Sequence, residues 1–148
     1  MFNIFEPILD NKALVIPFFA WCLAQVLKVL ISSLRQHRLD LSLLLSSGGM
    51  PSSHAALVCA LATVVGINEG VQSMTFALAV FFAGIVMYDA AGVRLAVSRQ
   101  ARILNHMVDE FNKDKPHFER HLKEFIGHTR VEVLAGAAFG IILAFLLT

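Results

Sequence analysis

Charge is what this sequence has least of. Lysine, arginine, aspartate and glutamate make up 16% of its 148 residues, against roughly 25% in a soluble domain. A chain this poor in charge cannot clothe itself in a solvated surface, and its length supports one domain. Basic residues form no arm and no strip interleaved with aromatics, and the net charge is +1, so no nucleic-acid partner is expected. Cysteine is scarce too. Cys22 and Cys59 lie inside apolar runs without metal-ligand spacing, which reads as small buried residues rather than a redox or metal centre. Met1 to Asn11 lacks a basic start, and no small-residue cleavage site follows the next apolar run. A secretory signal is therefore not expected, and the stretch suits a short interfacial helix.

What is present is apolar length. The chain is 57% hydrophobic with a mean hydropathy of +0.69. Spanning a bilayer takes about 20 helical residues, and the runs 13–34, 52–69, 71–97 and 128–148 supply four candidates. Residues 98–127 form a polar connection of helical character that carries most of the charge. The expectation is an all-α fold: a single-domain integral membrane bundle of about four transmembrane helices, with a polar helical connection before the last.

Short links force an up-and-down path, which permits a topology check on lysine and arginine alone. The connection after the first run carries Arg35 and Arg38. The one before the last run carries Arg99, Arg102, Lys113, Lys115, Arg120 and Lys123, whereas the opposite side holds Lys12. Both rich connections fall on one side, read as the cytoplasm, with both termini on the other. Lys28, Arg35, His54, Asp89, Arg94, His128 and Glu132 then gather at the cytoplasmic ends of their helices. Ionisable groups in membrane segments are costly and mark function by default.

Two stretches stand out at that level. Gly48-Gly49-Met50-Pro51-Ser52-Ser53-His54 has loose backbone at its glycines and a fixed φ at its proline. Its serines can cap the following helix, whose first free N–H groups would form an anion site beside a titratable ring. An ordinary turn between two membrane helices is the other reading. His128 and Glu132 stand four apart on one helical face. A carboxylate there can hold one ring nitrogen's proton and leave the other basic, as in an oriented base or nucleophile. A plain ion pair at a helix start also fits, while a two-ligand metal site is too small without further help.

These residues resemble a family. GGMPSSH, MYDAAGVR and LKEFIGHTRVEVLAG together resemble the divergent branch of the type-2 phosphatidic acid phosphatases, relatives of acid phosphatases and vanadium-dependent haloperoxidases, over about residues 20–140. Lys28 and Arg35 match the spacing of the superfamily's first motif, with Gln36 in place of its proline. Pro51-Ser52-Ser53-His54 matches the second with serine for glycine, and His128 with Glu132 matches the end of the third with glutamate for aspartate. Leu122 stands where the third motif has an arginine. Gln100 and Asn105 recur in this branch without an assigned role.

The resemblance implies phosphate-ester hydrolysis through a phosphohistidine. His128 would be the nucleophile, Glu132 its orienting carboxylate and His54 the general acid and base. Lys28, Arg35, Arg94, Ser52 and Ser53 would hold phosphate, with Asp89, Lys123 and Gly49 in support and Lys123 second to Arg94 as substitute for the missing arginine. No metal or other cofactor is implied. The expected partners are the bilayer and a lipid phosphate, either a phosphomonoester or a pyrophosphate. The expected location is a bacterial inner membrane with the site facing the cytoplasm. A non-enzymatic transporter or assembly factor with a degenerate site is the alternative, and halide oxidation is disfavoured because the chain lacks room for a large soluble scaffold. Residues 98–126 would either lie on the surface over the site or form a solvated connector. Gly136 and Gly140 form a GxxxG pair for close packing within one subunit or in a homodimer.

Overall fold

The computed structural model describes residues 5–37, 49–112, 122 and 127–148. Among the described residues six helices follow one another: α1 (Phe5–Leu9), α2 (Lys12–Gln36), α3 (Ser53–Glu69), α4 (Met74–Ala91), α5 (Val93–Asn112) and α6 (Arg130–Leu147). The described residues contain no strand, and the protein is an all-helical integral membrane protein. By length and composition, Lys12–Leu34, Met74–Phe111 and Arg130–Leu147 qualify as membrane-spanning. The fourth apolar helix, α3, has 17 residues, about 26 Å at helical rise.

Local chemistry sets the helix ends. Asn11 caps α2 by accepting the Ala13 amide at 3.0 Å. Ser52 caps α3, Ser73 caps α4 by accepting the Phe76 amide at 3.1 Å, and Thr129 caps α6. Each side chain satisfies one of the amides that a helix start leaves orphaned. Gly70 ends α3 at φ +85°, a conformation that favours glycine. Its carbonyl then accepts both the backbone amide and the hydroxyl of Ser73, which makes the α3–α4 turn short.

The apolar run from residue 71 to 97 reads as one helix, but the structure breaks it at Gly92. Gly92 leaves helical geometry at φ −108° and ψ −81°, with its amide on the Tyr88 carbonyl. Val93, Leu95, Ala96 and Val97 continue the apolar run past this point before charge accumulates along α5, so the break comes ahead of the change in composition. The α5 that follows is amphipathic. Ser98, Ala101 and Asn105 are buried, while Val97, Leu104, Met107 and Phe111 are exposed.

α3 sits at the centre, against α2, α4 and α6. Its buried residues are small: Ser53, Ala55, Ala56, Val58, Cys59, Ala60, Val64 and Val65. They meet Ile16, Ala20 and Ala144 at one end and Ala90 and Val133 at the other. Small side chains let membrane helices approach closely where lipid gives no hydrophobic drive for association. Large apolar side chains such as Phe18, Phe81, Ile85 and Phe145 face outward instead, as lipid-facing residues should.

The seam between α3 and α6 carries this furthest. A Cβ on Gly136 would overlap the carbonyl oxygen of Ser52, and one on Gly140 would overlap that of Ala56. Both glycines of the GxxxG pair are used inside the subunit, and α3 and α6 run parallel. The Lys12 ammonium donates to the Thr148 carbonyl at 3.0 Å, so the start of α2 meets the end of α6. The end of α2 and the starts of α3 and α6 therefore share the opposite end of the bundle.

Candidate active site at the polar end of the bundle

The starts of α3 and α6 are stitched to each other and to α4 by backbone bonds. The Ser52 amide donates to the Glu132 carbonyl at 3.0 Å, and the His128 amide donates to the Ala90 carbonyl at 3.1 Å. The Gly127 amide donates to Ser98 Oγ at 3.1 Å. A Cβ at Gly127 would collide with the backbone of Leu95 and Arg94, so glycine lets the chain press against the start of α5 before turning into α6. These contacts fix His128 two residues ahead of the apolar span.

His128 is 1% exposed, and neither ring nitrogen has a hydrogen-bond partner. Its Nδ1 lies 3.4 Å from Glu132 Oε2, close enough for electrostatic attraction but outside hydrogen-bond alignment. The same Oε2 accepts the Thr129 amide at 2.8 Å, while Thr129 Oγ1 accepts the Glu132 amide at 3.3 Å. This is a reciprocal capping box, so Glu132 both closes a helix and faces a histidine. Burial pushes the His128 ring below the ordinary histidine value, and the charges of Lys28 and His54 push the same way, while Glu132 pulls it back up.

Lys28 is also 1% exposed, and its ammonium donates to Gln25 Oε1 at 2.6 Å. Gln25 gives that ammonium an acceptor inside the bundle, where an uncompensated charge would cost several kcal/mol or more. Gly49, at φ +97°, would bring a Cβ to 3.2 Å from the Lys28 stem, so the loop before α3 lies on the lysine. Pro51, Ser52 and Ser53 are buried. Ser52 Oγ faces the Ala55 amide at 3.4 Å, whereas Ser53 Oγ has no partner. His54 is half-buried, with Arg94, Lys28 and Asp89 in Coulombic reach.

Arg94 Nε donates to Asp89 Oδ2 at 2.6 Å, with both side chains about 40% exposed. The pair bridges the break at Gly92 and ties α4 to α5. The five-residue spacing allows this pairing, which engages the Arg94 Nε. The structure thus brings together Lys28, Gly49, Ser52, Ser53, His54, Asp89, Arg94, His128 and Glu132. Lys123 and the side chain of Arg35 lie outside the described residues. Among the described residues, no group of three or more histidines, cysteines or acids could hold a metal ion.

Three residues here were not singled out for these jobs by motif. Gln25 holds the Lys28 ammonium; its signal was a lone amide three residues ahead of a lysine in an apolar run. Ser98 and Asn105 hold the chain that returns from α5. Asn105 Nδ2 donates to the Leu122 carbonyl at 2.9 Å and Asn105 Oδ1 accepts the Leu122 amide at 2.8 Å. Leu122, at the position of the absent motif arginine, is therefore a docking point for backbone.

Fold and site together define an integral membrane helical protein with a histidine-centred polar cluster at one end. The chain belongs to the divergent PAP2 family, whose sequence pattern matches residues 9–143. It is 41% identical over 151 residues to the uncharacterized membrane protein YuiD of Bacillus subtilis (strain 168), an alignment covering 95% of this chain and 96% of that relative. No solved structure matches it.

Proposed function

We propose that the protein is a lipid phosphate phosphatase that hydrolyses a phosphomonoester or pyrophosphate of a lipid through a phosphohistidine. One observation carries this reading: His128 is buried with neither ring nitrogen hydrogen-bonded, Nδ1 facing the Glu132 carboxylate, and a lysine and a second histidine within reach. Buried polar atoms are nearly always paired, and an exception at a charged cluster marks a functional-site candidate.

The step balances with these residues alone. Nε2 of neutral His128 bonds to phosphorus as the P–O bond to the lipid breaks, and His54 gives its proton to the leaving alkoxide. Water then attacks the phosphohistidine, His54 takes its proton, and phosphate leaves with His128 restored. Glu132 steadies the charge that develops on the ring. Phosphoryl transfer depends mainly on positioning and charge stabilisation, which Lys28 and Ser53 Oγ supply. The surplus of lysine and arginine near this end of the bundle supports a cytoplasmic orientation in a bacterial inner membrane.

A second reading draws on Arg94. Its pairing with Asp89 and the absence of the motif arginine favour a protein that binds a phosphate-bearing lipid without turnover. Phosphate release from a panel of lipid phosphates, in detergent with chelator, separates the two for wild type, His128→Ala and His54→Ala. Wild-type turnover lost in both variants supports the phosphatase, and a panel bound but never hydrolysed supports the second reading.

A further inference from the structure

Beside the histidine cluster the structure holds a separate open cavity of 670 Å³. Arg99 and Gln100 from α5, with Thr129 and Arg130 from the start of α6, give it polar walls, and Ala91 and Leu95 give it an apolar floor. Among the described residues, none that lines it is acidic. Arg99 and Arg130 are both exposed, and among the described residues neither has a hydrogen-bond or ion-pair partner. Arg94, by contrast, is committed to Asp89. The two arginines come from different helices and line one concavity with no carboxylate beside them among the described residues. Guanidinium groups bind phosphate through paired, charge-assisted N–H donors.

The cavity borders the cluster without belonging to it. His128 does not line it, but its neighbour Thr129 does, as does Ala91, next to the Ala90 carbonyl that holds the His128 amide. We infer that Arg99 and Arg130 form a second phosphate-binding subsite, with Arg130 two residues along the chain from His128, suited to a second phosphate on a lipid headgroup or to free phosphate. For a lipid, this rests on the proposed function and narrows its substrate class to headgroups that carry two phosphates. One phosphate sits at His128, the other between the arginines, and the first carbons rest on Ala91 and Leu95.

Equilibrium binding tests this independently of turnover. Calorimetry on the full chain in detergent would compare a short-chain lipid monophosphate, the matched lipid with two phosphates, and inorganic phosphate. Wild type should favour the two-phosphate lipid by roughly tenfold or more over the monophosphate, since each charge-assisted contact is worth over a kcal/mol. R99Q/R130Q should lose that preference and leave monophosphate binding intact, and R99K/R130K should recover part of it. If free phosphate is the ligand, its binding alone should drop in R99Q/R130Q. Unchanged affinities in R99Q/R130Q for both the two-phosphate lipid and inorganic phosphate overturn the subsite, as does a wild type that binds neither. A protein that keeps the binding preference but releases no phosphate refutes the phosphatase instead.

Discussion

Glu132 reaches His128 with the same oxygen that closes its own helix, standing 3.4 Å from Nδ1 while it accepts the Thr129 amide at 2.8 Å. The ring is thereby placed by the same bonds that start α6. Structure and chemistry can be separated at this position, because glutamine can serve a capping box but carries no charge.

Glu132→Gln should keep the melting temperature in detergent near wild type while lowering phosphate release by a factor on the order of 10² or more, by analogy with loss of a histidine-orienting carboxylate elsewhere. Glu132→Ala should lose the cap as well, costing about 1 kcal/mol. Equal melting and equal turnover in both variants would remove Glu132 from the site.

The glycines of α6 and α4 should behave oppositely. Gly136→Ala and Gly140→Ala each set a Cβ into a carbonyl of α3 and should destabilise the bundle by roughly 1–3 kcal/mol, the usual range for overpacking. Gly84 has nothing within 4 Å of where its Cβ would stand. Gly84→Ala should therefore stabilise α4 by about 0.5–1 kcal/mol through lost chain entropy. Thermal unfolding of the three variants side by side checks both signs.

Asn105 clasps the amide and the carbonyl of Leu122 at once. Asn105→Ala removes both bonds and should speed hydrogen exchange at the Leu122 amide, with a loss of about 1–3 kcal/mol. Asn105→Asp keeps the acceptor and loses the donor, so its exchange should be intermediate. Exchange at Leu122 that ignores both changes would show that the clasp is not maintained in solution.

Stability should fall in acid because of His128. Its folded value lies below the ordinary histidine value, chiefly through burial, with Lys28 and His54 adding to the depression and Glu132 opposing it. The unfolded chain then binds the proton more readily than the folded one. Stability is thus fully present above the unfolded value, near 6.5, and is lost as pH falls below it towards the folded value. Melting temperatures taken from about pH 7.5 to 5.5 should decline in wild type and decline less in His128→Gln.

Much of this was legible in residues, and the rest failed for identifiable reasons. Apolar run lengths announced α2, α4 and α6, and Ser52 marked a helix start by the chemistry of its hydroxyl. The spacing of Asp89 and Arg94 allowed their bond. Hydropathy could not place the break at Gly92, because apolar residues continue to Val97 and charge accumulates only beyond it. Nor could periodicity give Gln25 or Asn105 their partners, which depend on where a buried ammonium and a returning chain end up. Arg94 illustrates the limit best: the motif logic nominated it for phosphate, and the fold gives its Nε to Asp89.

The parallel seam of α3 and α6 has a mechanical consequence. With Gly136 on Ser52 and Gly140 on Ala56, no layer of side chains lies between the backbones to be rearranged. Sliding one helix along the other would drive a Cβ into a carbonyl. Ser52, Ser53 and His54 at one helix start and His128 with Glu132 at the other are therefore carried on a single stiff plate. A thicker or thinner bilayer can tilt that plate but cannot shear it, so the spacing of the two histidines is insulated from the lipids around them.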